Sequence, residues 1–255
     1  MPSTETTPSP EPPLKRMFDA VPRRYDLLNR LLTLGLDEHW RHRAAQRCLS
    51  GAPQRVLDLC CGTGDLALQL ARHTGPGTEI VGLDYSTGML ELARRKAAGS
   101  DQPARLCFTE ADAANMDFPD GRFDAVGIAF AFRNLSWRNP LRDRALAEVL
   151  RVLRPGGRFV IVETSQPASA IVRAGFHAYL GAVVAPLGGL ISGRNGAYHY
   201  LAKSARGFYD AEEVTQMLLD AGFEPVQAEP LLGGVAAIHV AARPHDAAPR
   251  VPGSG

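Results

Sequence analysis

The sequence predicts an α/β protein in which a mostly parallel sheet is covered by helices on both faces. Short, nearly continuous apolar runs alternate with amphipathic helical patterns along the middle of the chain, as expected for parallel strands that are buried on both sides. Close to the C-terminus, two strand-like runs are joined around Gly233 and Gly234. This spacing predicts a hairpin, so that the last strand runs antiparallel to the others.

Five strands are predicted before that hairpin, and helical patterns separate them. The predicted strands cover residues 55–60, 79–86, 104–113, the run that follows the Pro-Asp-Gly turn at 119–121 and reaches Phe132, and 158–164. The helix that begins near Asn139 is expected to stop before Pro155 and Gly156, which are typical of a helix end. A final helix is expected over 210–223.

Composition and pattern divide the chain into segments. Residues 14–51 show helical spacing with a break near Gly35, and the Gly- and Ala-rich run 166–208 interrupts the alternation of strands and helices. The expected segments are a disordered leader 1–13, an N-terminal helical segment 14–51, an α/β core 52–165, a helical insertion 166–208, a closing helix and strand pair 209–243, and a disordered tail 244–255.

The bulk composition excludes several classes of protein. The chain has 255 residues and a formal net charge of +1, so it lacks the basic bias of a nucleic-acid binder. Its N-terminus has no apolar core and does not resemble a secretory signal, which predicts a cytoplasmic protein. The four cysteines match neither a disulfide framework nor a metal site, and we expect all four to be reduced thiols in the core.

A glycine loop marks the first candidate site. Gly62, Thr63 and Gly64 lie between a predicted strand and a helix, where glycine permits a tight turn and close approach of a ligand. The third glycine of a dinucleotide fingerprint is missing, and no Lys-Ser/Thr pair follows as in a phosphate-binding loop. Asp65 at the start of the helix would also repel a pyrophosphate.

Acidic residues follow the next two strands. Asp84 lies where doubly wound folds place the acid that accepts hydrogen bonds from ribose hydroxyls, and Asp112 closes the third strand. Several acids without a basic clamp favour a nucleoside that is neutral or cationic in its reactive part, such as S-adenosylmethionine with its sulfonium. The alternative for each acid alone is a helix cap or a turn residue.

These motifs resemble a known class of enzyme. "VLDLCCGTGD", "GLDYSTGML", "EADA", "FPDGRFDAV" and "EVLRVLRPGGRFVIVE" are similar to the successive motifs of class I S-adenosylmethionine-dependent methyltransferases. Four further stretches, at 17–41, 130–135, 163–167 and 198–208, resemble the ubiquinone/menaquinone biosynthesis C-methyltransferase family. The Phe-x-x-Arg-Asn pattern and the N-terminal stretch are the more specific of these signals.

The resemblance implies a Rossmann-like, seven-stranded sheet with an antiparallel last strand, and an N-terminal segment that folds over the site as a lid. It also implies that the methyl donor is bound by Thr63, Asp84, Asp112 and Ala113. We add their neighbours to this predicted cofactor site, namely Gly62, Gly64, Tyr85 and Ala129. The family pattern "SFGLRN" is "AFAFRN" here, so Ala129 and Ala131 replace a hydroxyl and a glycine.

Arg133 and Asn134 are the candidate catalytic residues. Methylation of a ring carbon is favoured when an adjacent hydroxyl loses its proton, so we expect Arg133 to stabilise the phenolate and Asn134 to orient the ring or the methyl donor. The alternative is an arginine tied to a core carboxylate such as Glu163. Tyr25 is a further candidate that either donates to a quinol oxygen or packs.

Three other side chains are candidate bases, each with a structural role as the alternative: His177, His199 and Glu163. The predicted acceptor is a prenylated quinol, with demethylmenaquinol favoured over a benzoquinol. Another phenol, such as a polyketide, and a nucleoside-binding module without turnover are the competing hypotheses.

The stretch 168–191 bears on where the protein acts. It is almost entirely apolar, but His177, Pro186 and its glycines argue against a transmembrane helix. A buried lid is one interpretation, and an apolar surface for a prenyl tail at the inner face of the cell membrane is the other. The sequence does not decide whether the protein forms a homodimer.

Overall fold

A computed structural model describes residues 30, 32–99, 106–184, 186 and 203–245. It contains a seven-stranded sheet, as the resemblance implies. The strands are β1 (Arg55–Leu59), β2 (Glu79–Asp84), β3 (Leu106–Glu110), β4 (Phe123–Ala129), β5 (Leu153–Thr164), β6 (Val226–Leu231) and β7 (Ala236–Ala242).

The sheet has the doubly wound order β3-β2-β1-β4-β5-β7-β6. Strands β1 to β5 pair in parallel, and β7 pairs antiparallel with both β5 and β6. The predicted antiparallel last strand is therefore confirmed. Because Thr164 and Leu231 both pair with Ala236, the turn between β6 and β7 lies at the edge where the parallel strands end.

Helices cover both faces of the sheet. They are α1 (Asp37–Leu49), α2 (Asp65–Arg72), α3 (Thr87–Ala98), α4 (Phe132–Ser136), α5 (Arg142–Val152), α6 (Ala170–Tyr179), continued by a π-helical turn over Leu180–Val184, and α7 (Ala211–Asp220). Apolar residues of α1 and α2 form one buried cluster with the sheet, and those of α4, α5 and α7 form another on the opposite face. This division explains why the strands are apolar on both sides.

The apolar run of the fourth strand extends beyond the strand itself, so the prediction that it reaches Phe132 was wrong. Phe130 has a φ of 56°, which a strand cannot continue, and Phe132 begins α4. Both phenylalanines are nevertheless buried, Phe130 in the cluster beneath α1 and α2 and Phe132 in the opposite cluster. Burial on both faces made the turn indistinguishable from strand in the sequence.

The boundary between α5 and β5 also differs from the prediction. The helix ends at Val152, before Pro155 as expected, but β5 begins at Leu153, which pairs with Phe123. The register shifts before Arg158, and Gly156 within this stretch has a φ of 73°. An irregular first part of β5 therefore occupies what the sequence suggested was a turn.

One of the four cysteines differs from the prediction. Cys107 is exposed, so the prediction of four core thiols was wrong for that residue. Its strand β3 lies at an edge of the sheet.

None of the helices in the described ranges is long and apolar enough to span a bilayer.

Candidate functional site

The ends of β1 and β2 form the glycine loop and the acid that supports it. The chain turns after β1 through Cys60, with a φ of 53°, and α2 is capped by Gly64, with a φ of 82°. A Cβ at Gly64 would lie 3.0 Å from the Ala93 Cβ and 3.2 Å from the Phe108 ring. Glycine is thus required there by both its conformation and its packing.

Asp84 supports the loop directly. One carboxylate oxygen accepts the N–H of Gly62 at 2.8 Å, and the other accepts the N–H of Ser86 at 2.9 Å. The residue is 5% exposed, at the end of β2. Each carboxylate oxygen can accept more than one hydrogen bond, so the support that Asp84 gives to the loop is compatible with the predicted ribose contact.

A second buried acid was missed by the sequence reasoning. Asp58 is the fourth of the five residues of β1 and accepts the N–H of Ala67 in the first turn of α2 at 2.8 Å. Burial raises the pKa of the Asp58 carboxyl well above its usual range, and the nearby carboxylate of Asp84 raises that pKa further, against the N–H of Ala67. An acid inside an otherwise apolar strand, four residues before the loop, was the available signal.

Two basic residues also approach the loop, although the sequence suggested no basic clamp. Lys96 Nζ of α3 donates to Thr63 Oγ1 at 2.8 Å and Asp65 Oδ1 at 2.6 Å. The Arg41 guanidinium of α1 pairs with Asp37 at 2.5 Å, lies 4.0 Å from Asp65, and is 5.0 Å above the Phe130 ring. Each of these two cations is thus matched by a carboxylate, so the described residues provide no net positive clamp for a phosphate.

The other predicted cofactor residues line the same edge. Asp112 is exposed and accepts the N–H of Ala114 at 2.8 Å, which is the turn role named as its alternative, and its part in cofactor binding stays a prediction. Tyr85 and Ala129 are half-buried at the ends of β2 and β4, and Ala113 is buried. The fold thereby gathers residues from four strand ends.

Arg133 lies on α4, not at a strand end, and is 1% exposed. Its Nη1 donates to Glu163 Oε1 at 2.8 Å and Thr164 Oγ1 at 2.9 Å, and its Nε donates to Ser204 Oγ at 3.1 Å. This is the carboxylate-paired arrangement that the sequence left as the alternative to a direct catalytic role. Three of the five guanidinium N–H groups are used in this way, and nothing in the described ranges accepts from the two on Nη2.

The remaining candidates divide clearly. Asn134 is half-buried next to Arg133, and its carboxamide has no hydrogen-bond partner in the part of the chain described here. Tyr25 and His199 lie outside the described residues. His177 pairs with Gln166 at 2.8 Å, and burial lowers its pKa, which favours the structural role. Glu163 forms a buried ion pair with Arg133, which is the structural role named as its alternative.

The arrangement fits S-adenosylmethionine. The glycine loop leaves room for close approach, Asp84 can accept from a ribose, and the carboxylates at this edge suit a positively charged ligand. Strand β4 pairs directly with β1, so α4 with Arg133 and Asn134 begins at the same edge of the sheet as the glycine loop. A methyl donor on the loop and an acceptor beside Asn134 would therefore lie at the same edge of the sheet.

Comparison with known proteins agrees with this geometry. The sequence profile of the ubiE/COQ5 methyltransferase family matches residues 6–243. The chain belongs to that family. A protein from Thermus thermophilus named demethylmenaquinone methyltransferase is 49% identical over 228 residues, which are 89% of this chain and 100% of that protein.

A second family member comes from Geobacter sulfurreducens and is named ubiquinone/menaquinone biosynthesis C-methyltransferase UbiE. It is 41% identical over 226 residues, 89% of this chain and 86% of that protein. The crystal structure of a SAM-dependent methyltransferase from Aquifex aeolicus matches with a TM-score of 0.53 at 19% identity, over 74% of this chain and 81% of that one. This last likeness confirms the Rossmann-like fold.

Family membership confirms the predicted enzyme class. The protein is an S-adenosylmethionine-dependent C-methyltransferase of quinone biosynthesis, and S-adenosylmethionine is its cofactor. The individual site residues stay predictions that the geometry refines.

Proposed function

We propose that this ubiE/COQ5 family member methylates a ring carbon of a prenylated quinol, with demethylmenaquinol as acceptor and menaquinol as product. The observation that supports the proposal is the parallel pairing of β4 with β1: α4, which follows β4 and carries Arg133 and Asn134, begins at the same edge of the sheet as the glycine loop, which follows β1. The name of the Thermus thermophilus relative supports demethylmenaquinol over a benzoquinol.

The residues beside the loop suit this chemistry. When bound, S-adenosylmethionine supplies an electrophilic methyl group on its sulfonium sulfur. The two N–H groups on Arg133 Nη2 can donate to a quinol oxygen and stabilise the negative charge that builds on it. Glu163 and Thr164 hold the guanidinium in place, and the Asn134 carboxamide is available to orient the ring. Orientation matters because in-line transfer depends on near-attack geometry.

Turnover with defined acceptors tests the proposed reaction. The purified protein with S-adenosylmethionine is offered demethylmenaquinol, a prenylated benzoquinol and an unprenylated phenol, and the products are identified by mass spectrometry. We expect methylation of demethylmenaquinol and none of its oxidised quinone, because the quinone has no hydroxyl to deprotonate. Turnover of the phenol alone would instead identify a different small-molecule methyltransferase.

Site variants test the roles of the two residues. We expect Asn134→Ala and Arg133→Lys to reduce kcat by about a hundredfold, with an S-adenosylmethionine Kd within twofold of wild type. An Arg133→Ala protein that folds and keeps both methyl-donor affinity and full turnover would overturn the catalytic role. Asp117→Asn, an exposed acid outside the site, is the matched control.

A further inference from the structure

An apolar patch lies on the outer surface of α6 and on the turn that follows β6. Ile171 is 86% exposed, Val172 is 38% exposed, and Leu232 is 50% exposed. The Val172 side chain comes within 3.5 Å of where a Cβ would stand on Gly233, so α6 and the turn form one continuous surface. We call Ile171, Val172 and Leu232 the apolar patch.

The apolar patch lies at the same edge of the sheet as the acceptor site. Leu232 follows β6 directly, where Leu231 and Thr164 both pair with Ala236. Thr164 also accepts from Arg133 at 2.9 Å. The turn that carries Leu232 is therefore next to the strand end that holds the catalytic candidate.

The inner face of the helical segment that carries Ile171 and Val172 is part of a buried apolar cluster. Phe176 and Leu180 of the same helical segment are buried with Leu32 and Val235 in a small cluster of their own. The inner face of α6 thus anchors the segment, and the outward side chains contribute little to that core. Ile171 in particular is too exposed to serve folding.

The chain segment that carries α6 has formal charges of one sign. Between Glu163 and Asp210 the sequence contains four basic residues, Arg173, Arg194, Lys203 and Arg206, and no acidic one. Arg173, Lys203 and Arg206 are exposed. An exposed apolar surface beside basic side chains is complementary to the headgroups and upper acyl region of an anionic bilayer.

We propose that the apolar patch docks on an anionic phospholipid bilayer, with Ile171 and Leu232 inserted among the headgroups. The proposal rests on the proposed function in one respect, since a prenylated acceptor dissolved in the bilayer would then meet the site at the edge that faces it. A second copy of the chain fits less well. Three side chains are far below the roughly 800 Å² per partner of a stable interface, and a two-fold contact would bring like charges together.

Vesicle flotation of the full chain tests the proposal. The probes are vesicles of phosphatidylcholine with phosphatidylglycerol, and vesicles of phosphatidylcholine alone. The variant Ile171→Gln with Leu232→Gln removes the apolar groups without adding charge. The control is Leu219→Gln, a leucine of similar kind that is 41% exposed at the end of α7, which leads to the opposite edge of the sheet.

We expect wild type and Leu219→Gln to float with the anionic vesicles and the double variant to partition at least tenfold less. We also expect Lys203→Gln, or higher salt, to weaken binding severalfold. Absence of wild-type flotation, or equal flotation of the double variant, would overturn the proposal. So would a wild-type dimer, seen by light scattering, that the double variant converts to monomer.

The outcome is separable from that of the proposed function. The double variant should keep wild-type turnover of a short-chain, water-soluble demethylmenaquinol analogue and lose turnover only of a long-chain acceptor held in vesicles. Flotation does not depend on which acceptor is methylated, so it still decides the docking if every quinol fails as a substrate.

Discussion

The two halves of the sheet hold their buried charges in different ways. In the half that carries the glycine loop, Asp58 accepts from Ala67, nine residues away, and Asp84 from Ser86, two residues away. In the other half, which carries the residues proposed to bind the methyl acceptor and is called the acceptor half below, Arg133 pairs with Glu163 across 30 residues and with Ser204 across 71. The first half buries carboxylates on backbone N–H groups, among them that of Gly62, 22 residues before Asp84, whereas the second half buries a side-chain ion pair. Substitutions should therefore disturb the two halves differently.

The largest expected effect is on stability in the acceptor half. Glu163→Ala leaves the Arg133 guanidinium buried without its carboxylate, so we expect a loss of about 3–5 kcal/mol in the free energy of unfolding, measured in urea. Replacing both residues with methionine should recover much of that loss, because no unpaired charge remains buried. Asp143→Ala removes an exposed partner of Arg142 and should change stability by less than about 1 kcal/mol. A small loss of unfolding free energy for Glu163→Ala would contradict the proposed difference between the two halves of the sheet.

A smaller effect is expected on ligand affinity in the loop half. Asp84→Asn keeps an oxygen for one of the two N–H groups but removes the negative charge and the second acceptor. We expect S-adenosylmethionine to bind about 10- to 100-fold more weakly by calorimetry, a change of about 1–3 kcal/mol. The fold should persist, with a lower Tm because one backbone N–H loses its acceptor. Unchanged affinity would remove Asp84 from the cofactor site.

The smallest expected effect is on the pH dependence of the free energy of unfolding, and it comes from a histidine in the acceptor half. His239 of β7 is buried beside Glu163, with Nε2 bonded to the carbonyl of Ala211 at 3.0 Å, and burial lowers its pKa. Below about pH 6.5 the unfolded chain therefore binds a proton that the folded chain does not. Stability should fall as the pH drops from 7 towards 5, by up to about 1.4 kcal/mol per pH unit.

The variant His239→Gln isolates this contribution. It should flatten the pH dependence of the free energy of unfolding, and the remaining slope in this range should fall further with His177→Gln, since burial also lowers the pKa of His177. Urea titrations at pH 7 and pH 5.5 measure both. A slope unaffected by either change would place the titrating groups elsewhere in the protein.

The same contrast explains what was predictable. The glycine loop, Asp84 and Asp112 were found from sequence because each follows a strand directly, and parallel strands end at one edge. Asp58 was missed because an acid within a short strand has no turn to mark it. The pairing of Arg133 with Glu163 was only one of two alternatives, since spacing along the chain does not say which charge meets which. Lys96 and Arg41 reach the loop from other helices, which no local pattern indicates.

The sequence by itself determined the fold class, the order of strands and helices, the methyltransferase motifs and the antiparallel last strand. The fold class, the order of elements and the antiparallel strand follow from periodicity and turn chemistry, which act over a few residues, and the motifs were identified by their resemblance to a known family. Only the tertiary structure decided that Phe130 turns the chain, that Arg133 is buried on Glu163, and that Val172 of α6 lies against the turn after β6. Those outcomes depend on contacts between segments far apart in the chain, whose energies no single stretch of sequence contains.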